Sequence, residues 1–329
     1  MSLTRETTAS LIVMAGLLGI PLWAEAAGEP FTITLATRVA LFALAGIGLN
    51  LALGMGGMVS LGHAVFFGIG GYAMGILASH AQSFTSLASW PILIEGTKSM
   101  PIIWLVAVLS SALAALAIGA LTLRTSGVYF IMITLAFGQM FFYFMTGWPA
   151  YGGEDGLSIY VRNGFPGLNT LDPIQFFAIC FVFLAGALWL YIRIDASPFG
   201  LTLAAARQNE ARLRAVGIDP FRIRLVAFTL SGAITGLAGA LFADLNRFVS
   251  PAMFSWQTSG EIVIFVILGG VGRPIGPVVG AGLYVLLEHS LGDVSDYWQI
   301  VLGAILLAIV LFARGGLTGL VLGRPVPHG

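Results

Sequence analysis

Apolar runs of membrane-spanning length recur along the chain, separated by short polar breaks or by clusters of glycine and proline. A bilayer core of about 30 Å takes roughly 20 apolar residues as a helix. Runs of that kind lie near 8–24, 31–53, 59–79, 101–121, 127–147, 174–192, 225–245, 259–270, 275–290 and 298–313. The pattern predicts an all-α, polytopic membrane helix bundle with about ten segments. The runs between Glu261 and Glu288 are short, and "LGGVGRPIGPVVGAG" breaks them with glycines and prolines, as in re-entrant or interrupted helices. We read residues 1–329 as a single membrane domain.

One polar stretch stands apart, "SPFGLTLAAARQNEARLRAVGIDPFRIR" from Ser197 to Arg224. Ser197 suits a helix N-cap, Pro198 the first helical position and Gly217 the left-handed residue after the end. These signals predict one helix of about five turns between them. Leu203, Ala206, Leu213 and Val216 would form its apolar stripe, with Arg207, Gln208, Glu210, Arg212 and Arg214 as polar surface. Such a helix fits lipid headgroups or a groove on a partner. The small residues Ala204, Ala205 and Ala206 favour the groove.

Composition and charge sharpen this picture. Apolar residues make up 58% and charged ones 9% of the chain, against roughly 45–50% and 25% in soluble domains. Soluble catalytic domains are excluded, and a formal net charge of zero argues against nucleic-acid binding. Short loops rich in Lys and Arg stay cytoplasmic. With the amino terminus inside, Arg5, Arg124, Arg193, Arg207, Arg212, Arg214, Arg222, Arg224, Arg273, Arg314 and Arg324 are internal, most of the 15 basic residues. Glu25, Glu29, Glu95, Glu154, Asp155, Asp172, Asp293 and Asp296 then fall outside. Ten crossings follow, with both termini and the loop 194–224 cytoplasmic. "AEA" at Ala24 to Ala26 resembles a signal-peptide cleavage site, but Glu6 offsets Arg5, and an uncleaved helix is the preferred reading.

Two glycine-rich segments echo each other, pairing Gly57 with Gly269, Gly68 with Gly280, Gly70 with Gly282 and Tyr72 with Tyr284. In this topology the repeat would be parallel, although close helix packing accounts for most of the glycines. Ionisable groups within spans are costly and ask for a reason. His63, after the break "GMGGMVSLG", and Gln139 are the candidates for a solute pathway. A histidine bonded to a neighbouring helix is an equal reading of His63. Arg38 and Arg247 suit snorkelling or attraction of a carboxylate, and Glu261, Glu288 and His289 suit interfacial anchoring. "YGGEDGL" places Glu154 and Asp155 in an outer turn that lacks the ligand spacing of a calcium loop; contact with an outer partner fits better. No metal site is expected, and Cys180 reads as a buried hydrophobe. With Lys98 the sole lysine, no phosphate-cradling G-x-x-x-x-G-K motif exists, so any ATP hydrolysis belongs to another subunit. A secondary transporter would need a relay of buried carboxylates, and a membrane enzyme a catalytic set around one cavity; neither pattern is present.

The order R-Q-N-E-A-R-x-x-A-x-G-I from Arg207 to Ile218, preceded by "SPFG", resembles the coupling loop of ABC-importer permeases in the branched-chain amino acid permease family. "LRTSGVYFIMITLAFGQM" (Leu123 to Met140), "GGEDGL" (Gly152 to Leu157), "LAGALFA" (Leu237 to Ala243) and "ILGGVGRPIGPVVGA" (Ile267 to Ala281) resemble the same family's M-type subunit. The similarity runs from Asn50 to Gly316. Arg212 and Leu213 depart from the small residues frequent there. The resemblance implies a bacterial inner-membrane importer subunit with no cofactor of its own. Implied partners are an H-type permease, two subunits that bind ATP and Mg, and a periplasmic solute-binding protein. It further implies that Arg207, Asn209, Glu210, Arg214 and Gly217 couple the chain to the ATPase. Branched-chain amino acids are the first implied solutes, with urea, short amides and aromatic or dicarboxylic acids as alternatives.

Overall fold

A computed structural model of the chain describes residues 2–88, 94–292, 298–312 and 315–323. Asp293, Asp296, Arg314 and Arg324, which entered the charge asymmetry, lie outside the described residues, and so do the side chains of Arg5 and Glu95. The helices are α1 (Ser2–Ala27), α2 (Pro30–Asn50), α3 (His63–Ser83), α4 (Met100–Thr122), α5 (Val128–Thr146), α6 (Pro173–Asp195), α7 (Pro198–Gln208), α8 (Glu210–Ala215), α9 (Pro220–Asn246), α10 (Trp256–Gly269), α11 (Gly276–Gly292), α12 (Trp298–Phe312) and α13 (Gly316–Leu322). A π-helical turn, Leu51–Met55, prolongs α2. Each of the ten apolar stretches read from the sequence contains a helix, and among the described residues seven are long and apolar enough to cross a membrane. At 14 residues, α10 reaches only about 21 Å. It turns back through residues 270–275 into α11, which makes a helical hairpin of the interrupted region. The chain is a nearly all-helical, multi-pass membrane protein.

The third segment begins four residues later than its apolar run suggests, because Gly56 to Gly62 are not helical. Gly57 takes a positive φ of 67° there, a conformation that favours glycine. Non-helical backbone is tolerated at membrane depth only where protein covers it or water reaches it. Its later part is held by protein, with Gly57 and Val59 exposed: the backbone N–H of Leu61 donates to the Thr134 hydroxyl at 3.3 Å and that of Ala64 to Ser259 at 3.0 Å.

Helix α9 is the centre of the bundle, packed against α2, α3 and α4. Close approach in lipid needs small residues at the crossing. A Cβ at Gly70 would fall 1.8 Å from the Gly236 carbonyl oxygen, and one at Gly236 would fall 2.0 Å from the Ser111 hydroxyl. No side chain fits either place.

Cross-chain bonds sort the loops onto two ends. One end holds the end of α2, the α10–α11 turn, α7 and α13, joined by Arg207, Asn50 and Arg273. At the other, Arg162 bonds to the Leu245 carbonyl, His80 to Tyr151, and Arg38 to Glu288. Helices α2 and α10 therefore run toward the arginine-rich end and α3 and α11 away from it, the parallel sense expected of the glycine echo. The two breaks touch, since a Cβ at Gly54 would lie 2.7 Å from the Gly272 Cα. The individual pairs are not all equivalent: Gly57 lies within a break, whereas Gly269 ends α10.

Candidate functional site

The local signals around Ser197 act as the sequence indicates. Its hydroxyl accepts from the Gly200 N–H at 3.2 Å and donates to the Ile194 carbonyl at 2.6 Å, with Pro198 opening α7. The single five-turn helix expected between Ser197 and Gly217 is not formed. Asn209 leaves the helix at φ −157°, ψ 104°, and its side-chain oxygen accepts from the Arg212 N–H at 3.0 Å. The segment is thus α7, a capping Asn and the short α8. Asparagine competes with the helix by bonding nearby backbone and is among the best N-caps. Glu210 in the first turn of α8 and Arg212 and Arg214 in its last complement the helix dipole. Gly217, at φ 86°, donates to the Arg214 carbonyl, and Ile218 donates to that of Leu213. This is the paired C-terminal closure in which glycine suits the left-handed position.

The break at Asn209 also changes the apolar face. Leu203, Ala206 and Leu213 are buried as expected, but Val216 is 74% exposed because it caps α8 instead of continuing a stripe. The buried face lies against the chain's own α6 and α9, not against lipid or a partner. What faces outward is a mixed surface of Leu201, Ala211, Arg212, Arg214 and Val216.

Two arginines fasten this segment to the bundle. Arg207 donates through Nη1 to the Gly54 carbonyl at 2.6 Å, and its aliphatic stem passes over Gly57, where a Cβ would fall 2.8 Å from Cγ. Arg224, near the start of α9, donates to the Ala206 carbonyl at 3.0 Å and pairs with Glu210. Glu210 also meets Arg214 at 3.5 Å on the surface. Behind Gly54, the amide of buried Asn50 donates to the Arg273 carbonyl and accepts from the Gly272 N–H, both at 2.8 Å. Arg273 donates to the carbonyls of Thr318, at 2.9 Å, and Gly323. A continuous hydrogen-bonded path therefore joins α7, the broken end of α2, the α10–α11 turn and α13. Of the residues assigned to coupling, Arg207 bonds inward, Glu210 bridges within the segment, and Asn209, Arg214 and Gly217 face out.

The two pathway candidates are not joined by any hydrogen bond or ring contact. His63 is fully buried at the start of α3, its Nε2 2.7 Å from the Ser231 hydroxyl, which donates to the Gly48 carbonyl at 2.5 Å. With the Ser231 hydrogen so committed, Nε2 carries the ring proton and donates. Phe66 and Phe228 meet the ring edge-on. The imidazole thus staples α3 to α9 and, through Ser231, to α2. Gln139 is half-buried on α5, and its Nε2 is buried with no hydrogen-bond partner. Glu154 and Asp155 are exposed on a 3-10 turn between Gly152 and Gly156, both at positive φ.

Other polar groups emerge only in three dimensions. Arg38, on α2, pairs with Glu288, on α11, at 2.8 Å, although 250 residues separate them. Asp244 is buried, accepting from the side chain of Asn163 at 3.1 Å. Beside it Arg162 donates to the carbonyls of Thr170 and Leu245 and lies 4.5 Å from the Phe176 ring centroid. Burial lowers the pKa of Arg162, and Asp244 opposes that shift. The signal for Arg38 and Glu288 was the presence of one charge of each sign in otherwise apolar spans; their pairing had no local signature.

Comparison with known proteins follows the same direction. The model of a family described as "Branched-chain amino acid transport system / permease component" matches residues 31–310. The high-affinity branched-chain amino acid transport system permease protein LivM of Salmonella typhimurium is 28% identical over 310 residues, covering 87% of this chain and 69% of its own. LivM of Escherichia coli K12 gives the same identity and coverage. The "Probable branched-chain amino acid transport permease protein LivH" of Methanocaldococcus jannaschii is 25% identical, over 67% of this chain and 74% of its own. No solved structure matches.

Proposed function

Because the chain belongs to the permease component family of branched-chain amino acid transport systems, we propose that it is the membrane-spanning M-type subunit of an ATP-driven importer. Its solutes are branched-chain amino acids, moved inward. The observation that carries this reading is the α7–α8 segment, whose outward surface mixes arginines with apolar side chains and whose inner side is bonded into the bundle through Arg207 and Gly54. A surface helix that only oriented the chain would need charge alone. This one is connected to both helix breaks, as a part that transmits movement must be. On this reading α7 and α8 lie in the cytosol against a nucleotide-binding subunit. Closure of two such subunits around ATP and Mg shifts the segment and, through Gly54, Asn50 and Gly272, the broken ends of α2 and α10.

The partners on this reading are an H-type permease, two ATPases and a soluble binding protein on the opposite side of the inner membrane. Similarity to both LivM and LivH proteins supports a permease pair. On the same reading Glu154 and Asp155, exposed at the end away from α7, meet the binding protein. The test is co-purification of the full chain with mass spectrometry of what it retains, followed by ATPase assays with leucine, urea, acetamide and glutamate. Retention of an ATPase subunit and stimulation by leucine is the expected result. Uptake by the isolated chain, or stimulation by urea alone, contradicts the reading.

A further inference from the structure

At the end of the bundle away from α7, a cavity of about 260 Å³ opens between α2, α6 and α9. Thr34 and Thr37 line it from α2, Phe176 from α6 and Leu245 from α9, with Arg162 and Arg247 beside them. Its depth is that of the lipid headgroups. With its π turn α2 runs for 26 residues, and α9 runs for 27, about 39 and 40 Å. Each overhangs a hydrocarbon core of roughly 30 Å by about 5 Å at either end. Thr34 is four residues into α2, about 6 Å along it, and Arg247 directly follows α9.

Arg247 closes α9 in the left-handed region, at φ 53°, with its N–H donating to the Ala243 carbonyl. Glycine is the usual residue there, and a side chain held at positive φ costs stability. Strain of this kind gathers at ligand sites. The Arg247 guanidinium makes no hydrogen bond or ion pair among the described residues. The carboxylates nearby are otherwise engaged: buried Asp244 accepts from Asn163, and Asp172 accepts from the Ile174 N–H and the Gln175 amide. In the adjoining cavity, which shares Thr34 and Leu245, Glu288 pairs with Arg38 and Glu261 acts on the same pair. Arg162 gives one N–H of each terminal nitrogen to the Thr170 and Leu245 carbonyls, and each nitrogen keeps a second.

We propose that this cavity holds the phosphodiester of an anionic phospholipid, with Arg247 and Arg162 as its donors and Leu245 and Phe176 against its glycerol carbons. Arginine matches phosphate in a planar, two-pronged geometry, and basic pockets between membrane helices are places where lipid headgroups settle. The bilayer presents phosphate at this depth at a far higher local concentration than the solution does. Because Arg247 brings a charge with no counterpart in the chain, a lipid of net negative charge is favoured over a zwitterionic one. The lipid would tie together the ends of α2, α6 and α9. The inference requires only that the chain spans a membrane and is independent of the solute it carries.

The test is native mass spectrometry and thermal unfolding of the full chain in detergent, titrated with phosphatidylglycerol, with phosphatidylcholine and, as a soluble source of the same group, with inorganic phosphate. Phosphatidylglycerol should be retained about tenfold more tightly than phosphatidylcholine and should raise the unfolding temperature, while inorganic phosphate leaves it unchanged. Arg247→Gly removes the cation and relieves the left-handed strain, so the chain stays folded, binds phosphatidylglycerol about tenfold more weakly and loses the thermal effect. Arg247→Lys, which keeps a charge, should retain part of both. Equal retention of phosphatidylglycerol by the wild-type chain and Arg247→Gly overturns the site. Equal retention of the two lipids, or protection by inorganic phosphate as strong as by phosphatidylglycerol, overturns an anionic lipid as its occupant.

Discussion

The two ends of the bundle use arginine differently. At the α7 end, Arg207, Arg224 and Arg273 donate to backbone carbonyls of Gly54, Ala206 and Thr318. These bonds fix one piece of backbone against another and hold helix ends that have lost their own bonding pattern. At the far end, Arg38 faces Glu288 and borders a cavity, and Arg162 and Arg247 border a second one of about 260 Å³ with Thr34 and Thr37. Three guanidiniums secure the joint at one end; at the other Arg162 likewise bonds the Thr170 and Leu245 carbonyls, and Arg38 differs in pairing with a carboxylate beside a cavity.

That contrast presupposes a rigid body between the ends, and the harshest way to break it is to part the helices there. Gly70→Leu or Gly236→Leu forces side-chain atoms into space occupied by the neighbouring backbone or Ser111. Either should abolish folded protein, a loss beyond about 4 kcal/mol, read as disappearance of the monodisperse peak on size exclusion. A normal peak would mean that α3, α4 and α9 do not cross as closely as described.

Arg207→Ala addresses the joint itself. Removing a charge-assisted bond to the Gly54 carbonyl costs about 1.5–3 kcal/mol, less than the bundle needs to stay folded. Transport by the assembled importer should fall about tenfold or more while ATP hydrolysis continues; transport and hydrolysis falling together would show a folding defect instead. Gly217→Val places a β-branched residue at a φ of 86°, at a cost of about 1–2 kcal/mol. It should loosen the end of α8 and reduce coupling severalfold, measured as the ratio of leucine moved to ATP hydrolysed. The smallest effect is expected from Asn209→Ala, which loses one cap worth about 1 kcal/mol. Hydrogen exchange should rise at Arg212 and its neighbours in α8 and stay unchanged in α7. Equal exchange in both helices would mean that the two act as one rod.

The fold was largely legible because the hydrocarbon core imposes a length and a polarity on each span, and among the described residues seven helices meet that demand while the shorter runs still mark helices. Ser197, Pro198 and Gly217 disclosed their roles because caps are local chemistry. The break at Asn209 was not visible in the same way: helical spacing continues through it from Ala206 to Leu213, and only the capping preference of Asn, a matter of about 1 kcal/mol, opposes continuity. Val216 was misplaced onto the buried stripe for that reason. The path from Arg207 to Gly54, Asn50 and Gly272 was hidden because the bonded partners are 153 and 222 residues apart and each bond uses a backbone atom, which leaves no trace in residue type. His63 was recognisable as a polar residue after a break, but its partner Ser231 lies 168 residues away.

The central claim is that the outward face of α7 and α8 is gripped by a separate ATPase. Cys180 is the chain's only cysteine and is buried, so Val216→Cys gives a single accessible thiol at the end of α8. Cross-linking that thiol in the assembled importer, with and without ATP, is the most direct measurement. A cross-link to the nucleotide-binding subunit whose yield changes with ATP is the predicted result. A thiol that is labelled equally by a soluble reagent in the free chain and in the complex, with no cross-link to any subunit, would contradict it.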